Sequence, residues 1–396
     1  MVEWSTSVST RGDRDGSGAT AAGDVVAVPV VECELRGIAI PNVRPVHWEG
    51  GIEAQARFMV LTLWDADGRR GIAECTVKPT WNGFDADGFA VAFERLVLPV
   101  LWSARTDMTA LPERLGRLVE NSAPKALLES ALWDLSAGAS ATAADVPARP
   151  VPVSATITRG VPADMAAEAA GLVQRYGFGT LKVKGGQDVS SDLDVVRRVR
   201  AAVGADVALY VDANGAVPAA EAEDYVARLA DLGVVAVEDP YNLALDRRLE
   251  RVQAASRVPV IADFVLDGVS AARAALDLGC GGISLKPSRF GMRKVLAMGE
   301  AVAAADALGV IGLFGESHAG AVHLLAAHRA LAARVRMLPA EAAAPLLLTD
   351  HYLHEPLEVT GGTITPPAAA NLAALVDPVR LERLTTLPRK RWRREL

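Results

Sequence analysis

Thr180-Leu-Lys-Val-Lys184, Tyr210-Val-Asp-Ala-Asn214, Val237-Glu-Asp-Pro240, Val260-Ile-Ala-Asp-Phe264 and Ile283-Ser-Leu-Lys-Pro287 follow one another along the chain. Each is a short β-branched or apolar run that ends in charged residues. The runs recur roughly every 25 residues with helix-like sequence between them, the rhythm of βα units in a parallel barrel. The active site of such a barrel lies at the C-terminal ends of its strands, where these charges fall.

Working outward, a first strand is expected at Pro152-Val-Ser-Ala-Thr-Ile157. The others fall at 180–184, 208–213, 234–239, 259–263, 282–286, 310–315 and 335–338. Helices fill Ala163–Tyr176, Asp192–Val203, Ala219–Leu232, Asp246–Ala255, Val269–Leu278, Met292–Leu308 and Gly320–Ala333. Gly177, Gly204, Gly233, Gly279 and Gly309 each follow a helix, where a left-handed cap is wanted. The barrel is therefore placed at 150–340, and 341–396 is read as a C-terminal segment returning to the cap, with a strand-and-turn stretch from Pro345 to Pro367 and a basic tail.

Before the barrel, Val30-Val-Glu-Cys-Glu-Leu35, Phe58-Met-Val-Leu-Thr-Leu-Trp64 and Arg70-Gly-Ile-Ala-Glu-Cys75 alternate as strands, with Asp65-Ala-Asp-Gly68 as a turn. Helical periodicity follows over Gly88–Leu101 and Asp107–Gly138. Residues 26–140 thus read as an α+β capping domain, and Ala139–Arg149 as its link to the barrel. Residues 1–25 are rich in small polar residues and are expected to be a disordered leader. Their Arg11-Gly-Asp13 tripeptide is read as chance. The tail Arg389-Lys-Arg-Trp-Arg-Arg394 is read as solvated or contacting another subunit.

The chain has 396 residues, 51% hydrophobic and 22% charged, enough for a large core. A net charge of −7 argues against nucleic acid as a partner. The three cysteines, Cys33, Cys75 and Cys280, share no metal or redox spacing and suit reduced thiols in the cytoplasm. No apolar run approaches the ~18 residues of a membrane span. The expected partners are a small-molecule carboxylate substrate and further copies of the chain in a homo-oligomer.

Asp212, Glu238 and Asp263 end three successive strands. Converging carboxylates repel unless a cation stands between them, and an all-oxygen set favours Mg²⁺ over zinc or copper. Lys182 and Lys184, two apart on one strand, point the same way. Lys286 ends a strand beyond the acids, which places an ammonium on each face of a metal-bound substrate. A lysine crowded by another cation or by desolvation loses proton affinity and can act as a base near neutrality. The competing reading is that these lysines only neutralise the acids as buried pairs.

In this order, Lys-x-Lys, Asp-x-Asn, Glu-Asp-Pro, Ala-Asp and Lys-Pro resemble the enolase superfamily over roughly residues 28–370. The lysine spacing, residues 311–320 (Ile-Gly-Leu-Phe-Gly-Glu-Ser-His-Ala-Gly) and Pro345-Leu-Leu-Leu-Thr-Asp350 with Glu355-Pro-Leu-Glu-Val359 are similar to its muconate-lactonizing-enzyme subgroup. The resemblance implies an enolase-like modified TIM barrel behind an N-terminal α+β cap. It implies that Asp212, Glu238 and Asp263 ligate Mg²⁺, which stabilises an enediolate formed when the α-proton of a carboxylate leaves. Lys184 and Lys286 would be acid/base groups on opposite faces. Lys182 would tune Lys184 and help bind the carboxylate, and Asn214 and Glu316 would support the site or touch substrate.

Phe264 and Val265 stand where the family often has Glu-Ser, so a polar partner for Lys286 is in question. His318 replaces a small residue and is either a substrate contact or a helix-start histidine. Glu341-Ala-Ala-Ala-Pro345 lacks the Asp-x-Asp of dipeptide epimerases. Two cap loops, Asn42–Ala54 with His47 and Trp48, and Lys78–Phe84 with Trp81 and Asn82, are expected either to enclose substrate or simply to pin the cap. The expected activity is a cycloisomerase or racemase. The alternatives are an o-succinylbenzoate-synthase-type dehydratase and a non-catalytic scaffold that binds a small acid.

Overall fold

The computed structural model describes residues 29–48, 51–104, 110–139, 149–369 and 371–394. The expected leader, and all but the ends of the expected link, lie outside these residues.

Eight parallel strands form one sheet in sequence order. They are Ala155–Ile157, Thr180–Lys184, Ala208–Asp212, Ala236–Glu238, Val260–Ala262, Gly282–Leu285, Leu308–Ile311 and Arg336–Met337, here called strands one to eight. A parallel bridge between Val153 and Ala340 joins the first edge to the last and closes the ring. Between the strands run helices such as Pro162–Tyr176, Val189–Val203 and Met292–Ala304, which bury their apolar sides against the sheet. The fold is a (β/α) barrel with a strand-rich N-terminal cap, as the rhythm of charged strand ends predicts.

Strand alternation decides what the barrel mouth contains. Tyr210, Ala236, Ile261, Leu308 and Val310 form one buried cluster. Two residues further along three of these strands stand Asp212, Glu238 and Asp263, so period-2 geometry lifts the acids above that apolar floor.

Two expectations about this region are corrected. Gly309 is not a helix cap: it lies in strand seven, where a Cβ would come within 2.7 Å of Met337 Sδ. The left-handed residue there is Asp306, at φ 50°, so the preceding helix ends at Ala304 and strand seven begins earlier than 310. The other four glycines do have positive φ.

The cap sheet is antiparallel, in the order Thr385–Arg393, Val30–Trp48, Gly51–Asp65, Arg70–Thr76. The basic tail is therefore an edge strand. Arg391 and Arg393 pair with Glu32, and Arg389 with Glu34 and Glu382, so alternating acids on the neighbouring strand give the basic run its place. The two cap loops are also more regular than expected. Val46–Trp48 pairs with Gly51–Glu53, extending the first two strands as a hairpin arm. Pro79–Asn82 is a short helix that Gly83 closes at φ 77°. In the 345–367 region, Val359–Thr360 and Thr363–Ile364 form a hairpin that pairs with Val151–Pro152.

Candidate active site

Strands two to six bring the expected residues together. Lys184 and Asp212 stand in register on neighbouring strands, as do Asp212 and Glu238. Asp212, Glu238 and Asp263 are all buried. Lys182 lies lowest, 1% exposed, and its Nζ stands 2.9 Å from Asp212, 2.7 Å from Glu238 and 2.8 Å from Glu341. Lys184 Nζ is 2.5 Å from Asp212 Oδ2 and 3.1 Å from Asn214 Oδ1. Lys286 donates to Asp263 Oδ2 and lies 4.0 Å from Glu238 Oε1. Gly312 leaves room for this lysine, since a Cβ there would come within 2.8 Å of Lys286 Cε.

These contacts set the protonation of the groups. Burial raises the pKa of Asp212, but Lys182 and Lys184 outweigh it and hold the carboxyl well below its usual range. Lys286 and Arg289 do the same, more weakly, for Asp263. Glu238 is pushed well up, by burial first and by the Asp212 charge second. The lysines correct an expectation. Burial favours their neutral forms, yet Asp212, Glu238 and Glu341 hold the Lys182 proton, and Asp263 and Glu238 hold that of Lys286. Their proton affinities are raised, not lowered. Lys182 is thus an anchor beneath the acids. Asp263 itself is the polar partner of Lys286 that the Phe264 substitution put in question.

Asn214, at φ 50°, donates its backbone N–H to Asp212 Oδ1 and so braces the acid and Lys184 together. Glu316 is buried but turns elsewhere: Ser288 Oγ donates to one oxygen and Phe314 N to the other, and burial pushes its pKa up to about 7. His318 Nδ1 accepts from Leu357 N at 3.0 Å, and burial pushes its pKa down to about 4. That is a contact suited to a helix-start histidine, one of its two readings. Trp81 packs at a tilt against Phe314, with ring centres 5.5 Å apart. His47 is exposed near the end of the hairpin arm, opposite Ile52.

Sequence reasoning missed three residues. Asp239 accepts from Asp263 N and Phe264 N, fixing the end of strand five, and burial next to Asp263 pushes its pKa up to about 7. Its positive φ of 38° marks a strained turn. Glu341 accepts from Lys182 Nζ, Tyr210 OH and Leu313 N, joining strands two and three to the turns after seven and eight. Arg289 binds both Asp263 and the carbonyls of Phe264 and Leu266. The Glu-Asp and Lys-Pro-Ser-Arg pairings were the available signals for Asp239 and Arg289.

As they lie, the carboxylates are not a ready cage, since among the described residues no three His, Cys, Asp or Glu side chains are arranged to hold an ion. Ammonium groups stand between them instead. The donor chemistry nevertheless fits a hard dication. Glu238 Oε1 is buried and, among the described residues, has no hydrogen-bond partner. Asp212, Glu238, Asp239, Asp263 and Glu341 also outnumber Lys182, Lys184, Lys286 and Arg289 by one. Asp212, Glu238 and Asp263 are the residues that would hold Mg²⁺.

Comparison with known proteins places the chain. Residues 164–374 match the family model described as enolase C-terminal domain-like. The o-succinylbenzoate synthase of Geobacillus stearothermophilus is 30% identical over 391 residues, covering 91% of this chain and 97% of that protein. Muconate cycloisomerase 1-1 of Acinetobacter lwoffii is 26% identical over 371 residues, with the same coverage of 91% and 97%. Among solved structures, the dipeptide epimerase of Cytophaga hutchinsonii, complexed with Mg and D-Ala-L-Val, superposes with a TM-score of 0.79 at 21% identity, over 91% of this chain and 99% of that one. The chain belongs to the enolase superfamily, in its muconate-lactonizing-enzyme-like subgroup. Among the described residues, no helix is long and apolar enough to cross a membrane.

Proposed function

We propose that this protein is a Mg²⁺-dependent enzyme that removes or returns the proton α to a substrate carboxylate, as a cycloisomerase or as a racemase or epimerase. The observation that carries this reading is the position of Lys184 and Lys286. They end strands two and six, four places apart in a ring of eight, with the three acid-bearing strands between them. A planar carboxylate substrate lying over the acids would meet one lysine on each face.

Charge supports the same reading. With every group in its ordinary ionisation state, the cluster carries one negative charge in excess. A dication over-corrects by one, and one substrate carboxylate restores neutrality. Bound Mg²⁺ would neutralise the carboxylates that hold the Lys182 and Lys286 protons and would acidify the α-carbon of the substrate. In a racemisation the lysine on one face, as the amine, takes the α-proton, and the opposite lysine, as the ammonium, returns one to the other face. In a cycloisomerisation a single lysine moves a proton at the α-carbon and the other serves as an electrostatic anchor. The 30% identity to an o-succinylbenzoate synthase favours a second reading, a dehydratase in which one lysine both removes the proton and protonates the leaving hydroxyl.

Incubating candidate carboxylates in D₂O tests the proposal. The Mg²⁺-loaded enzyme should wash deuterium into the α-carbon. For a racemisable substrate, Lys184→Ala should stop exchange from one enantiomer and Lys286→Ala from the other, each by roughly 10²–10⁴-fold. Equal losses on both faces would favour the one-base reactions, and release of water would select the dehydratase. Exchange that neither substitution alters would overturn the proposal.

A further inference from the structure

Lys184 and Lys286 are surrounded by turns that different parts of the molecule hold. The turn after strand two is held from within the barrel. Asp192, on helix Val189–Val203, accepts from Gly186 N at 2.6 Å, from Gln187 N at 3.2 Å and from Tyr225 OH at 2.8 Å. Across the mouth, the turn after strand seven wraps Lys286. Gly312 lies against its side chain, the Phe314 ring is 6.0 Å from its Nζ, and Glu316 accepts from Ser288, two residues beyond it. That turn ends at Ser317, the N-cap of helix His318–Leu331.

The cap domain fixes Ser317. Glu74, on the third cap strand, is buried and accepts from Ser317 N at 2.8 Å with Oε1. Its Oε2 accepts from Ser317 Oγ and, at 2.6 Å, from Tyr352 OH. Three donors at the start of a helix suit a carboxylate. Burial pushes its pKa up, against the pull of these hydrogen bonds. Gly320 gives the carboxylate room, since a Cβ there would come within 2.6 Å of Glu74 Oε1. The next two cap residues follow the same line of contact. Cys75 Sγ lies 3.6 Å from the Ser288 carbonyl, and a Cβ on Gly315 would come within 3.3 Å of Thr76 Oγ1.

We propose that Glu74 is a positioning residue: from the cap it holds the turn after strand seven through Ser317, and so sets the surroundings of Lys286 while those of Lys184 stand independent of it. That Lys286 acts on a substrate rests on the proposed function. That Glu74 fixes the turn around it rests on the hydrogen bonds alone.

Amide hydrogen exchange of the full-length, Mg²⁺-loaded protein at pH 8 tests the second statement. Glu74→Gln sets an amide NH₂ against Ser317 N or against the two hydroxyls. Ser317 N and Phe314 N should therefore exchange roughly 10- to 100-fold faster, while Gly186 N and Gln187 N keep their wild-type rates. Gly320→Ala, a change that ordinarily favours a helix, should give the same pattern by crowding the carboxylate, and Tyr352→Phe a weaker one. These two variants carry the test if Glu74→Gln folds poorly. Exchange of the α-proton in D₂O tests the first statement, with each enantiomer of a carboxylate that the wild type exchanges assayed alone. Glu74→Gln and Gly320→Ala should slow the face that Lys286→Ala abolishes by roughly 10- to 100-fold and leave the Lys184 face at its wild-type rate. A merely structural role would loosen both turns and slow both faces alike. Either of those results, or unchanged amides at Phe314 and Ser317 in all three variants, would overturn the inference. A wild type that exchanges no α-proton would count against the proposed function instead, and the amide rates alone would then decide whether Glu74 holds the turn.

Discussion

Glu238→Gln should make the metal-free protein more stable while removing its response to Mg²⁺. Glu238 is fully buried, Lys182 satisfies one of its oxygens, and the other has no hydrogen-bond partner among the described residues. Glutamine keeps an acceptor for Lys182 and discards the surplus charge. Removing a charge that burial and Asp212 both disfavour should gain roughly 1–3 kcal/mol, the range for a buried polar group denied its partner. At about 2.1 cal/mol/K per residue, the unfolding entropy of 396 residues makes that roughly 1–4 °C in Tm. The pH dependence has a definite sign. The folded pKa of Glu238 lies above its unfolded value, so the wild type is most stable, relative to the variant, at acid pH and loses that stability as pH rises from about 4.5. The gain from Glu238→Gln should therefore grow with pH. Mg²⁺ at a hundred times its Kd should stabilise the wild type by about 2.7 kcal/mol, and the variant by far less. Scanning calorimetry in EDTA and in Mg²⁺ at several pH values reads both effects. A variant that melts below the wild type in EDTA at pH 8, or that Mg²⁺ still stabilises fully, refutes this account of the site.

Glu341→Ala removes the acceptor shared by Lys182 at 2.8 Å, Tyr210 at 2.6 Å and Leu313 N at 2.8 Å. Leaving a buried charge partly unpaired should cost roughly 3–5 kcal/mol, measurable by denaturant unfolding. Trp81→Ala should lower kcat/KM and leave the Mg²⁺ affinity nearly unchanged if the ring closes over substrate, whereas a lower Tm with normal kinetics would make it a packing residue. His318 has a folded pKa of about 4 against an unfolded value of 6.5, so its stabilisation is complete above about 6.5 and is lost as pH falls toward 4. His318→Asn, which keeps an acceptor for Leu357 N, should flatten that acid branch in melting curves by about 3 kcal/mol at most.

The barrel was legible because its signal repeats: each strand is an apolar run, most of the helices end in a glycine, and the polar chemistry stands two residues above the floor. Where the repeat lapses, the reading fails. Gly309 carries the same local signal as Gly177, yet Met337 crowds its Cα and Asp306 takes the left-handed turn instead. Charge at strand ends was visible, but not which charges would meet. Crowding or desolvation was expected to lower a lysine's proton affinity, and that inference counted cations and burial without the carboxylates that close on Lys182 and Lys286. Glu341 was illegible for a different reason. Glu341 enters from beyond strand eight, 159 residues from Lys182. Only closure of the ring brings it to the mouth. There it anchors Lys182 and Tyr210 together. A motif read along a strand reveals the row of acids. What braces that row is set by contacts between segments far apart in sequence.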